Sequence, residues 1–217
     1  PLSFYKFYAG EGGLRVPLII SGAPLAASLA QSEAFAWATD VAATILALAG
    51  VDRPHGRFAG KPVLPITGKD LSPILRGEVD RVYHDGDSVG YELTGHAALF
   101  QGDFKIVRNL PPLGDGVWRL YNIVHDPGEV DDLKAALPAR FQNMLSAYER
   151  FEEENKVLPI PQGYSQTLQM ISNMLRDQYA SSVLVVLLTI LLLIPFMVYA
   201  RTRRAGGGHP QDLQPRP

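Results

Sequence analysis

The chain contains no cysteine, so disulfides and thiolate chemistry are excluded within its 217 residues. It has no basic run interleaved with aromatics in its globular part, and its net charge of -2 argues against a nucleic-acid binder. HExxH, paired CxxC, P-loop and GxSxG patterns are all missing, which removes the zinc-protease, zinc-ribbon, phosphate-loop and nucleophile-elbow chemistries. An initiating Met is missing too. The chain opens on Pro1 in mid-motif and is expected to be the carboxyl portion of a longer protein. Disorder is excluded by composition, at 47% hydrophobic and 19% charged residues.

Charge is unevenly spread. Residues 1–177 hold 16 Lys and Arg against 21 Asp and Glu, whereas residues 201–217 hold four Arg against one Asp. Between them, Gln178 to Ala200 carries no charged side chain, and Val183 to Ile194 is almost wholly aliphatic. About 20 such residues at about 1.5 Å each span roughly 30 Å, the hydrocarbon thickness of a bilayer. A transmembrane helix over 178–200 is therefore expected, with Pro195 tolerated inside it. Arg201-Thr202-Arg203-Arg204 follows at once, so the positive-inside rule puts the C-terminus in the cytoplasm and the globular part outside, which in a bacterium is the periplasm. Residues 159–177 read as a Pro/Gly linker and a juxtamembrane amphipathic helix, with Leu168, Ile171 and Leu175 on one side.

The opening stretch carries the chemistry. A lone cation, Lys6, precedes glycines at 10, 12 and 13 and the run Leu14-Arg15-Val16-Pro17-Leu18-Ile19-Ile20. The run reads as a strand, with Pro17 keeping it from a central position. The glycines are expected to take positive φ and to let the backbone approach a neighbour or ligand closely. A cation on a loop beside a strand end is a place to hold an anion, although a single Lys near glycines is ordinarily just solvated.

Further along, Ala23 to Ala34 reads as a loop or short helix. Asp40 reads as the N-cap of an all-apolar helix that stops at Gly50 and is expected to lie buried against a sheet. Residues 51–70 read as a loop, with His55 and Arg57 solvated in it or lining a pocket. Ser72-Pro73-Ile74-Leu75 reads as one helical turn capped by Ser72. The tract His84-Asp85-Gly86-Asp87 lacks the ligand spacing of a calcium loop and reads as a solvated turn. Strands over 97–100 and 104–107 flank Gln101-Gly102-Asp103, and a third covers 117–121. Arg140 to Glu154 then sets Phe141, Leu145, Tyr148 and Phe151 on one helical face, completing a small α+β subdomain.

Several of these stretches, taken together, resemble the sulfatase family, in particular bacterial arylsulfatases. They are Tyr5-Lys6 with Glu11-Gly12-Gly13-Leu14-Arg15-Val16-Pro17, Asp40-Val41 before Leu48-Ala49-Gly50-Val51, Gln101-Gly102-Asp103-Phe104-Lys105, and Leu120-Tyr121-Asn122-Ile123 with Asp126-Pro127-Gly128-Glu129. The resemblance covers roughly residues 3–158, discontinuously. Ala43 stands where the family commonly has Pro and His96 where it often has Arg. The fold it implies is α/β, the C-terminal part of an alkaline-phosphatase-like sulfatase fold. Residues 1–80 would end the large α/β domain. Residues 81–158 would form a C-terminal α+β subdomain with an antiparallel sheet and one helix. The linker, the transmembrane helix over 178–200 and a basic tail over 201–217 would follow.

The activity the resemblance implies is sulfate-ester hydrolysis. A formylglycine nucleophile and a Ca²⁺ ion, both held by residues upstream of this chain, would attack and polarise the ester. Lys6 would be the catalytic and substrate-binding lysine, a point charge against a sulfate oxygen where charge develops in the transition state. No metal ligand is assigned within these residues. The expected partners are a sulfate-ester substrate and a membrane, and no nucleic acid. Two other readings stay open: a phosphate or phosphonate ester hydrolase of the same superfamily, and a non-catalytic tethered ectodomain.

Overall fold

A computed structural model describes residues 1–22, 25–26 and 31–205. Two compact units are present, Pro1–Ile160 and Pro161–Pro217. The first unit contains α1 (Glu11–Leu14), α2 (Ala38–Leu48), β1 (Arg57–Phe58), β2 (Lys61–Pro62), α3 (Ser72–Leu75), β3 (Ser88–Leu93), β4 (His96–Gln101), β5 (Phe104–Arg108), β6 (Arg119–Asn122) and α4 (Pro138–Asn155). The second contains α5 (Gln166–Ala205).

The centre of the first unit is an antiparallel meander in the order β3-β4-β5-β6. The β4–β5 hairpin turns at Gly102-Asp103, with Gly102 at φ 57°. Both sheet faces are covered, so β4 reads His-Ala-Ala-Leu-Phe without polar alternation and is buried along five residues. On one face Ala97, Leu99, Ile106 and Leu120 meet Phe141, Met144, Ala147 and Tyr148 of α4. On the other, Ala98, Phe100, Val107 and Tyr121 pack with Ala9 of the opening segment, flanked by Phe35 and Trp37.

Helix α4 begins with Pro138 at its first position, where a missing N–H costs nothing, and ends on Lys156 in the left-handed region. Its expected face is correct: Phe141 and Tyr148 are buried, with Leu145 and Phe151 packed at the edge. The sheet has four strands, one more than the residues suggested. The extra strand, β3, carries Gly90 in its interior, and a Cβ there would lie 2.4 Å from the Phe151 ring. That close approach of α4 is why a residue that weakens strands stands inside one. Thr94 and Gly95, both at positive φ, form the two-residue turn into β4.

Other expectations need correction. Residues 14–20 do not form a strand; α1 takes Glu11–Leu14 and residues 15–20 are irregular. Pro17 removes a donor, and no strand among the described residues lies beside the run to complete a ladder, which leaves Val16 and Ile19 exposed. Helix α2 is not buried against a sheet. Its buried positions are Asp40, Ala43 and Thr44, while Val41, Ile45 and Leu48 face outward. Asp40 occupies the third helical position, not the N-cap, which is Trp37. Likewise Leu71 precedes α3 and Ser72 is its first residue. The loop at 51–70 contains the exposed two-residue ladder of β1 and β2. Of Ala23–Ala34, residues 23–24 and 27–30 lie outside the described residues, as does the tail from 206.

Helix α5 runs unbroken from Gln166 to Ala205 with Pro195 inside it. Within it, Ser182–Thr202 has a mean hydropathy of 2.9 and is long and apolar enough to cross a membrane. Thr189 returns its hydroxyl to the Val185 carbonyl at 2.8 Å, so this polar side chain is satisfied within the helix.

Candidate functional site

Residues 3–12 fold into a loop over the sheet face opposite α4. Gly12 N–H donates to the Ser3 carbonyl at 2.7 Å and closes the loop on itself. The glycines explain the closure. A Cβ on Gly12 would lie 2.3 Å from the Phe4 carbonyl oxygen, and one on Gly13 would lie 2.1 Å from that of Tyr8. Close approach is therefore what these positions require. The positive φ expected at 10, 12 and 13 falls instead on Phe4 (59°) and Phe7 (83°), where a side chain makes it costly.

Lys6 sits between those two residues and is exposed, its Nζ 5.3 Å from the centre of the Phe7 ring. Among the described residues no carboxylate forms an ion pair with it. Beneath the loop, Tyr8 is buried between the rings of Phe4, Tyr5 and His96, and burial raises its hydroxyl pKa. His96 is fully buried and accepts a hydrogen bond at Nδ1 from Leu110 N–H at 3.1 Å. Ala9 N–H donates to Asn109 Oδ1 at 2.7 Å and ties the loop to the end of β5.

The motif residues converge on one buried ammonium. Lys105 in β5 is fully buried, with Nζ 2.9 Å from Glu11 Oε1 and 2.8 Å from Glu129 Oε1. Glu129 Oε2 accepts from Glu11 N–H at 2.8 Å and from the Ser3 hydroxyl. The far side of Glu11 meets Arg15 at 3.5 Å. Three tracts distant in sequence are thus tied by ions inside a water-poor layer. The Asp126-Pro127-Gly128-Glu129 tract stands out in the sequence, but the partner of its carboxylate does not. The available signal was a charged side chain, Lys105, in the otherwise apolar run Phe104-Lys105-Ile106-Val107.

A second polar centre forms around Asp40. Its carboxylate is fully buried and accepts from Trp37 N–H at 2.6 Å, Lys69 N–H at 2.8 Å and the Tyr83 hydroxyl at 2.7 Å. Thr44 links the same helix to Leu71 N–H. Lys69 Nζ lies 2.6 Å from Asp87, whose pKa is lowered chiefly by that bond and then by His84 N–H. The turn at 84–87 is therefore paired through Asp87, although His84 and Asp85 themselves stay exposed. His55 and Arg57 are exposed, and neither shares a hydrogen bond or ion pair with Lys6.

Among the described residues no three His, Cys, Asp or Glu side chains come together as a cation would need. The donor set for the implied Ca²⁺ is thus not formed by the described residues.

Residues 3–151 match the family model described as N-sulphoglucosamine sulphohydrolase, C-terminal. The chain belongs to the sulfatase family. An uncharacterized sulfatase of Schizosaccharomyces pombe is 31% identical over 166 residues, covering 76% of this sulfatase chain and 29% of that protein. The chain therefore spans about three tenths of that relative's length. Among solved structures, one titled as a complex with D-glucosamine-2-N,6-O-disulfate is 20% identical, with 58% of this chain and 25% of that one covered at a TM-score of 0.39. Ps i-CgsB in complex with k-i-k-neocarrahexaose is 19% identical, with 64% of this chain and 28% of that one covered at a TM-score of 0.42. The sulfatase signatures at 11–17 and 126–129 here serve packing: both deliver a carboxylate to Lys105.

Proposed function

We propose that this chain is the carboxyl part of a membrane-anchored sulfuric ester hydrolase of arylsulfatase type, in which Lys6 contacts a sulfate oxygen. The observation that carries the reading is the family match over residues 3–151 together with an exposed ammonium, in no ion pair among the described residues, on a loop held at both ends. With no carboxylate beside it among the described residues, the side chain's field is uncompensated and can act as a point charge on an incoming anion. Residues 1–80 would then complete the large α/β domain and residues 81–158 the subdomain behind it. The formylglycine nucleophile and the Ca²⁺ ligands would come from upstream residues.

The matched family is described by its action on N-sulphoglucosamine, so a sulfamate on an amino sugar is a substrate class to set beside aryl sulfates. Residues 178–200 would span the membrane, with Arg201, Arg203 and Arg204 on the cytoplasmic side and the globular part outside. The test is Lys6→Ala in the full-length protein, assayed with an aryl sulfate and with N-sulfoglucosamine. Turnover should fall by about 10²-fold or more, the loss seen when one oxyanion donor is removed, while the folded state persists. Undiminished turnover of both substrates would refute the role.

A further inference from the structure

The loop that bears Lys6 is clamped at both ends by one carboxylate. Glu129 Oε2 takes the Ser3 hydroxyl at the loop's entry and Glu11 N–H at its exit, and the Ser3 carbonyl takes Gly12 N–H between them. Lys105 holds Glu129 and Glu11 in place from below. Such a triad is a poor way to gain stability. Desolvating buried charges offsets most of their attraction, and apolar residues of similar volume often serve as well. What an ion triad does supply is register, because its geometry is directional and apolar contact is not. We propose that Glu129 and Lys105 are positioning residues, which fix the height and orientation of the loop and thereby set where the Lys6 ammonium meets the sulfuryl group. The proposal rests on the reading of Lys6 given above. It extends the site from one side chain to the buried triad that carries it.

A double-mutant cycle in the full-length protein tests this. Glu129→Gln turns an amide toward Lys105 Nζ and should lower kcat/KM for an aryl sulfate roughly tenfold, within the range by which members of one network couple. The same change made in a Lys6→Ala background should cause no further loss, because the group being positioned is gone. Equal fractional losses in both backgrounds would show a merely structural role and overturn the proposal. Full activity of Glu129→Gln beside a disabled Lys6→Ala would overturn it too, while leaving the Lys6 reading intact. Full activity of Lys6→Ala would instead remove the reading itself and the positioning role with it. If Glu129→Gln does not fold, Ser3→Ala removes only the hydroxyl at the loop entry. It should show the same dependence on Lys6, and additivity there would count against the clamp.

Discussion

Replacing Asp40 by Asn tests whether this carboxylate is an architectural acceptor. The carboxylate is fully buried and receives three donors at 2.6, 2.8 and 2.7 Å, two at Oδ1 and one at Oδ2. An amide has one acceptor oxygen. With that oxygen in the Oδ1 place, its NH₂ group points at Trp37 N–H, donor against donor; flipped, it points at two donors. The better arrangement still loses one bond to a charged group, about 1.5–3 kcal/mol, and leaves the half-buried Trp37 N–H without its partner, at a cost of up to about 1–3 kcal/mol. The expected loss is about 3–5 kcal/mol, a large part of an ordinary domain's stability. For a unit the size of Pro1–Ile160, about 2–4 °C per kcal/mol makes this a fall in Tm of about 6–20 °C. Calorimetry of the detergent-solubilised variant reads it directly. A Tm within about 2 °C of the parent, above all with turnover abolished, would refute the acceptor role and make Asp40 a group of the chemistry instead.

Two further outcomes follow from the same structure. Tyr83, Tyr121 and Tyr148 have hydroxyls raised above the ordinary value of 10.0, each chiefly by burial, with Asp40 adding to Tyr83 and Glu152 to Tyr148; Tyr121 is pushed up to about 12. Raised folded pKa values mean stability fully present below about pH 10 and lost as pH rises from there toward 12. Phenolate absorbance and near-UV circular dichroism should therefore change together in that window, and early ionisation of these tyrosines in a still-folded protein would contradict their burial. Deleting residues 178–217 should release a soluble protein that keeps its near-UV signal, and continued sedimentation with membranes would reject α5 as the anchor.

The hairpin at 102–103, the face of α4 and the apolar stretch of α5 were legible because each rests on a local pattern: a turn glycine, a helical period, a long uncharged run. Residues 14–20 were misread because β-branched content and Pro17 describe a strand only where a neighbour supplies the ladder. β3 escaped because Gly90 argues against a strand until the Phe151 ring lying over it is known. Helix α2 misled for a related reason. Its composition is apolar all round, yet its buried side is set by the polar anchors Asp40 and Thr44, which tie it to segments 69–71 and 83. At the site, Lys6 and the glycines stood out in the sequence, whereas the meeting of Glu11, Lys105 and Glu129 did not. No periodicity links residues so far apart; only the folded sheet brings them together.

That separation bears on the order of assembly during synthesis. Glu11 leaves the ribosome 118 residues ahead of Glu129. At translation rates of about 5–20 residues per second, the opening loop waits about 6–24 seconds for the carboxylate that fastens it. Until β4 and β5 have been made, Tyr8 and Ala9 lack the sheet surface they cover, so for part of that interval the loop is open to a chaperone.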